Sequence, residues 1–151
     1  ALGKLPIIAE ALGSVTPATR ALLAQVGCCG MDVMQFADND VRGGWAPRAD
    51  KVAYTSTHDN QTLVGWCAQH FGLDAAPARE LAASLMRMAF ASGADVVMCT
   101  LQDAALLGDE ARMNVPGVAE GNWAWQATPE DLAAGEAFLG ELTRSSNREV
   151  N

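Results

Sequence analysis

Lysine and arginine are scarce in this chain. Ten basic residues stand against eighteen acidic ones, a formal net charge of −8. A nucleic-acid surface needs clustered basic side chains to neutralise phosphates, so that class of partner is excluded. Histidine is scarcer still, with only His58 and His70. The four cysteines, Cys28, Cys29, Cys67 and Cys99, form no CxxC pair. Without that spacing a zinc site is not expected, and no other metal or cofactor is implied. Adjacent Cys28 and Cys29 make a poor start for a disulfide framework, which predicts buried free thiols in a reducing compartment. No apolar run approaches the ~18 residues of a membrane span. The N-terminal residues lack the basic and apolar regions of a secretory leader. A soluble, cytoplasmic chain is the expectation. Aromatic residues make up only 6%, so Ala, Leu, Val and Met must supply the core.

What is present is an alternation of short apolar runs and helical patterns. The 151 residues suffice for one domain with a core. Residues 4–13 predict a short buried strand opening onto Glu10 and Gly13. Residues 14–27 predict a helix, with Thr16 as cap, Pro17 in the first turn and Gly27 closing it. Strands are expected over 31–36, 51–57 and 94–101, the last buried on both faces, and helices over 61–71 and 77–92. A final helix starts at Thr128 and runs to about Thr143, with a frayed tail beyond it. Such alternation argues for an α/β fold of parallel strands joined by crossover helices. The chain enters an apolar run within a few residues of Ala1, as a piece of a longer protein would.

Three of the expected strands end on groups capable of chemistry: Glu10, then His58 and Asp59, then Gln102 and Asp103. In a parallel sheet all strand C-termini lie along one edge, so such groups converge. Glu10 and Asp59 are candidates for a pair of carboxyls flanking a scissile bond, the working parts of glycoside chemistry. Each residue alone admits a plainer use: Glu10 in a loop, Asp59 as the N-cap of the next helix, His58 as a structural imidazole. Residues 110–126 add Arg112, Asn114, Asn122, Trp123 and Trp125. Tryptophans beside amides suit sugar binding, or the packing of a loop.

Four stretches together carry a resemblance: LPIIAEALGSVTP, GMDVMQFA, YTSTHDNQTLVGW and LGDEARMNVPGVAEGNWAW. In this order and spacing the chain resembles the C-terminal part of the amylomaltases, the disproportionating 4-alpha-glucanotransferases. The resemblance implies that residues 1–151 are the C-terminal half of a catalytic (β/α)8 TIM barrel, strands five to eight with their helices. It implies transfer of an α-1,4-glucan segment to a 4-hydroxyl of an acceptor sugar, with retention, through a glycosyl-enzyme intermediate. Its substrates would be α-1,4-glucans and maltooligosaccharides.

By the same resemblance Glu10 matches the acid/base and Asp59 the carboxylate that stabilises the transition state. His58 matches a contact to the donor sugar, and Asn114 and Pro116 match the segment lining the donor side. The matching nucleophilic Asp belongs on the preceding strand and has no counterpart here. Position 11, usually acidic in the family, is Ala11. The isolated chain is therefore expected to be inactive. The alternative is an inactive half-barrel that binds glucan weakly or self-associates. Unpaired strand edges near Ile7 and Val97 predict a homodimer.

Overall fold

The structure is a computed structural model that describes residues 7–12, 15–37, 40–48 and 51–149. Its strands are β1 (Ile8–Ala9), β2 (Cys29–Val33), β3 (Lys51–Tyr54) and β4 (Val97–Met98). Its helices are α1 (Pro17–Val26), α2 (Leu63–Phe71), α3 (Ala75–Ala91), α4 (Leu101–Ala104) and α5 (Pro129–Ser145). The sheet order is β1-β2-β3-β4, and every neighbouring pair is parallel. The expected α/β alternation with a parallel sheet is therefore what the chain adopts.

Local chemistry fixes the helix ends. Thr16 accepts from the Thr19 N–H at 3.2 Å. Gly27 closes α1 with a left-handed φ of 71°, a conformation that costs glycine nothing. Thr128 and Asp131 form a reciprocal capping box on α5, at 3.1 and 2.9 Å. A cap of this kind stabilises by about 1 kcal/mol. Glu130 and Asp131 also lie at the positive end of the α5 dipole.

Several boundaries differ from expectation for reasons the structure shows. β2 begins at Cys29 and gives way at Met34–Phe36 to a 3-10 turn, because Met34 turns inward and is fully buried. β4 has two residues only, with Val96 and Met98 exposed, so it is not buried on both faces. Thr100 then caps the unexpected short helix α4. The stretch after α5 is not frayed through Arg148. That guanidinium donates to the carbonyls of Phe90, Ser92 and Ala94 at 2.6 to 2.8 Å, satisfying the open end of α3.

The core lies between one face of the sheet and α2, α3, α4 and α5. Ala53 of β3 belongs to one buried cluster with Leu63, Val64 and Cys67 of α2 and Leu85, Met86 and Phe90 of α3. Side chains alternate across a strand, so Tyr54 and its register partners Val33 and Met98 point to the other face. All four cysteines are free, but only Cys67 is buried; Cys28, Cys29 and Cys99 are half-buried. Burial, with the nearby Asp103 second, pushes the Cys67 and Cys99 thiols up to about 12, which keeps them unreactive. By contrast α1 buries none of its residues. A cleft of about 1330 Å³ opens between it and β2, lined by Leu23, Cys28, Phe36, Trp45 and Arg48 among others. Among the described residues no helix is long and apolar enough to cross a membrane, and no cluster of His, Cys, Asp or Glu has the makings of a metal site.

Candidate functional site

The strand β3 runs straight into the segment that carries His58 and Asp59. Its first two polar residues are spent on structure. The hydroxyls of Thr55 and Ser56 donate to Oδ2 of Asp103 at 2.6 and 2.5 Å, and the Leu63 N–H donates to Oδ1 at 2.7 Å. Asp103 is completely buried. Burial pushes its carboxyl up, while the hydrogen bonds from Ser56, Thr55 and Leu63 pull the other way. Of the groups expected at the strand ends, Asp103 is thus unavailable to a substrate: it rivets the end of β3 to the start of α2. A second carboxylate, Asp109, accepts from the Thr62 N–H at 3.0 Å and the Gln61 amide at 2.7 Å. It lies so close to α2 that any side chain at Gly65 would collide with it.

Between these two anchors the loop closes on itself. Asn60 Oδ1 accepts from the Thr57 hydroxyl at 2.6 Å and its N–H at 3.1 Å. Thr62, not Asp59, caps α2, accepting from the Gly65 N–H at 3.1 Å. Asp59 is therefore free of the capping role and half-exposed. Its Oδ1 accepts from the Asn114 amide at 2.7 Å and lies 3.2 Å from His58 Nε2. Arg112 donates through Nη2 to the Asp59 carbonyl at 3.0 Å and through Nε to the Asn114 carbonyl at 2.9 Å. His58 faces Trp123, with ring centroids 5.3 Å apart. Trp123 is 59% exposed and takes a left-handed φ of 60°. Its N–H donates to the Met113 carbonyl at 2.7 Å. Non-glycine residues in that region are strained and cluster at functional sites.

Pro116 stands in the exposed loop that follows. Asn122 closes that loop, accepting from the Val115 N–H at 2.9 Å and donating to the Val118 carbonyl at 2.8 Å. His58 lines a cavity of about 10 Å³ together with Ser56, Thr57, Thr100 and Arg112 among others. That is room for about one water.

Glu10 follows β1 directly and is exposed. Because β1 and β3 are parallel, Glu10 and Asp59 lie beyond the same edge of the sheet. In the sheet Ile8 pairs with Cys29, and further along β2 Val33 pairs with Tyr54. The Tyr54 hydroxyl registers this neighbourhood. Burial pushes its pKa up, with the charges of Cys29 and Glu10 adding to the effect. The structure thus gathers Asp59, His58 and Asn114 into one contact group and sets Glu10 on the same edge. The large cleft beside α1 is lined by none of these four. The sequence offers no sign of Asp109, and it marks Asp103 and Arg112 as candidate groups without showing what they hold. Their partners lie about fifty residues away along the chain, and no local pattern records such pairings.

Comparison with known proteins adds an independent finding. The 4-alpha-glucanotransferase family matches residues 1–131. The 4-alpha-glucanotransferase of Thermus thermophilus is 36% identical, across 87% of this chain and 30% of its own length. That of Synechocystis sp. is 38% identical over the same shares, 87% and 30%. Among solved structures, the amylomaltase of Streptococcus agalactiae in complex with acarbose superposes with a TM-score of 0.81 and 31% identity, over 97% of this chain and 32% of that one. The chain spans about a third of the length of these relatives. Sequence and backbone agree along nearly all of it, and the chain belongs to the 4-alpha-glucanotransferase family.

Proposed function

We propose that this chain supplies strands five to eight of a (β/α)8 barrel and, with them, the acid/base and the donor subsite of a retaining 4-alpha-glucanotransferase. The observation that carries the reading is the held carboxylate of Asp59, gripped by Asn114 and His58 beyond the same sheet edge as Glu10. In this reading Glu10 protonates the glycosidic oxygen as the bond to C1 breaks. An Asp outside these residues attacks C1 and holds the glucanyl unit covalently. The acceptor's 4-hydroxyl then gives its proton to the Glu10 carboxylate and takes the unit, releasing the nucleophile. A retaining pair of this type works at a separation of about 5–5.5 Å.

Asp59 offers its second oxygen to the hydroxyls of the donor ring and its charge to the oxocarbenium-like transition state. His58 and Asn114 keep that carboxylate oriented, and Pro116 stiffens the loop along the donor side. The substrates in this reading are maltooligosaccharides and α-1,4-glucans, bound without a metal or cofactor. An exposed Trp123 beside His58 suits the apolar face of a sugar ring.

The test uses maltotriose. The chain alone is expected to yield neither glucose nor longer maltodextrins. Joined to the preceding two thirds of the Thermus thermophilus relative, it is expected to yield both. Disproportionation by the chain alone would show that the nucleophile lies within it. A folded joined protein with no transfer would remove the glucanotransferase reading. A second expectation concerns the chain by itself. In the described sheet β1 and β4 are the outer strands, and Ile7, Ile8, Val96 and Met98 beside them are exposed. Such edges pair with other strands, so the isolated chain should sediment as a dimer at micromolar concentration. A compact monomer there would refute it.

A further inference from the structure

We propose that Arg112 is a positioning residue for Asp59, holding the carboxylate in place from behind without neutralising it. This rests on the role given to Asp59 above. The guanidinium joins two segments that are far apart in the chain. It donates to the main-chain carbonyl of Asp59 at 3.0 Å and to that of Asn114 at 2.9 Å. The two residues so joined are the ones whose side chains meet, Asn114 Nδ2 to Asp59 Oδ1 at 2.7 Å. One planar fork therefore sets the spacing of both main chains, and that spacing closes the side-chain contact.

The choice of acceptor matters. Arginine normally seeks a carboxylate, often with two parallel bonds. Among the described residues Arg112 makes no ion pair at all, although Asp59 is adjacent. A guanidinium on the Asp59 carboxylate would occupy its lone pairs and cancel the charge needed opposite a developing cation. Bonded to the carbonyl, it leaves Oδ1 to Asn114 and His58 and leaves Oδ2 to substrate. Lysine cannot do the same, because a single ammonium lacks the fixed fork that spans two carbonyls. Arg112 itself is half-buried and lines the small cavity that His58 also lines. It acts through Asp59 and does not touch the sugar.

The test reads the Asn114–Asp59 contact directly. In the chain itself, the side-chain amide of Asn114 is followed by proton–nitrogen NMR in the parent sequence and in Asp59→Ala, Arg112→Lys and Arg112→Gln. The parent should show an Asn114 amide displaced from free carboxamides, and Asp59→Ala should return it to the free position. Both Arg112 variants should move it most of the way there while keeping the dispersed backbone spectrum of a folded chain. Arg112→Lys, the milder change, decides the matter if Arg112→Gln fails to fold. An Asn114 signal unmoved by Arg112→Lys, or unmoved by Asp59→Ala, would overturn the proposal.

A second arm uses the joined enzyme and maltotriose. Arg112→Lys should lower kcat about 100-fold, the effect of a misplaced catalytic group, and leave KM within about twofold, as expected when transition-state contacts alone are lost. A raised KM with kcat intact would assign Arg112 to substrate binding instead. If the joined enzyme with Arg112 intact transfers nothing, the functional reading fails, while the NMR arm still decides whether Arg112 sets the Asp59–Asn114 contact.

Discussion

Replacing Glu10 with glutamine in the joined enzyme should lower transfer from maltotriose by about 10²- to 10⁴-fold, the usual worth of a general acid–base. The amide keeps the size of the carboxyl and cannot give up a proton to the glycosidic oxygen. The loss should depend on the leaving group. Fluoride departs without protonation, so α-maltosyl fluoride should form the covalent intermediate nearly as well with Glu10→Gln as without it. Azide needs no base, and added azide should take up the glycosyl unit and restore turnover. Product analysis with the two donors, with and without azide, checks the whole set. An equal loss on both donors, or no loss on maltotriose, would remove Glu10 from the acid/base role. Because Glu10 is exposed at the sheet edge and the fold hydrogen bonds it to no described residue, the variant should unfold at the same denaturant concentration as the parent.

Asp103 should show the opposite profile, with a large effect on stability. Asp103→Ala strands three buried donors at once: the hydroxyls of Thr55 and Ser56 and the N–H of Leu63. Each buried donor left without its acceptor costs about 1–3 kcal/mol, and urea unfolding should show the loss. Asp103→Asn should cost much less, since hydroxyls both donate and accept and can turn to meet an amide. The pH dependence follows from the direction of the shift. Burial raises the Asp103 pKa above its ordinary 3.8. The ionised form is therefore disfavoured in the folded chain. Stability from this group is complete below the ordinary value and is lost as pH rises through the raised one. Asp103→Asn should remove that loss, flattening stability against pH above the ordinary carboxyl value of 3.8. A parent chain that gains stability over that range on account of Asp103 would show the sign to be wrong.

These residues also show what the sequence makes legible. The ends of α1 and α5 are readable because Thr16, Pro17 and Gly27, and Thr128 with Asp131, act on backbone groups within a few positions of themselves. The parallel alternation is readable for the same reason, since it is a pattern of neighbours. β4 is not, because an apolar run such as Val96, Val97 and Met98 does not state which of its faces is covered. The partners of Asp103, Asp109, Arg112 and Arg148 are not readable either. Each bond spans some forty to fifty-eight residues and exists only once the helices have packed. Asp59 illustrates both cases. Its place just past a strand follows from the local pattern. Its release from capping, because Thr62 takes that task, follows from the fold.

The two acidic side chains ride on parts of the molecule with unequal grip. Asp59 grows out of β3, riveted through Asp103 to the interior. Glu10 hangs from a two-residue strand, next to a helix none of whose residues is buried. Fluctuations that peel β1 away leave the packed helices untouched and separate the pair all the same. In the isolated chain warming would therefore part the two carboxyls before it melts the core, and amide protons near Ile8 would exchange with solvent long before those near Leu85.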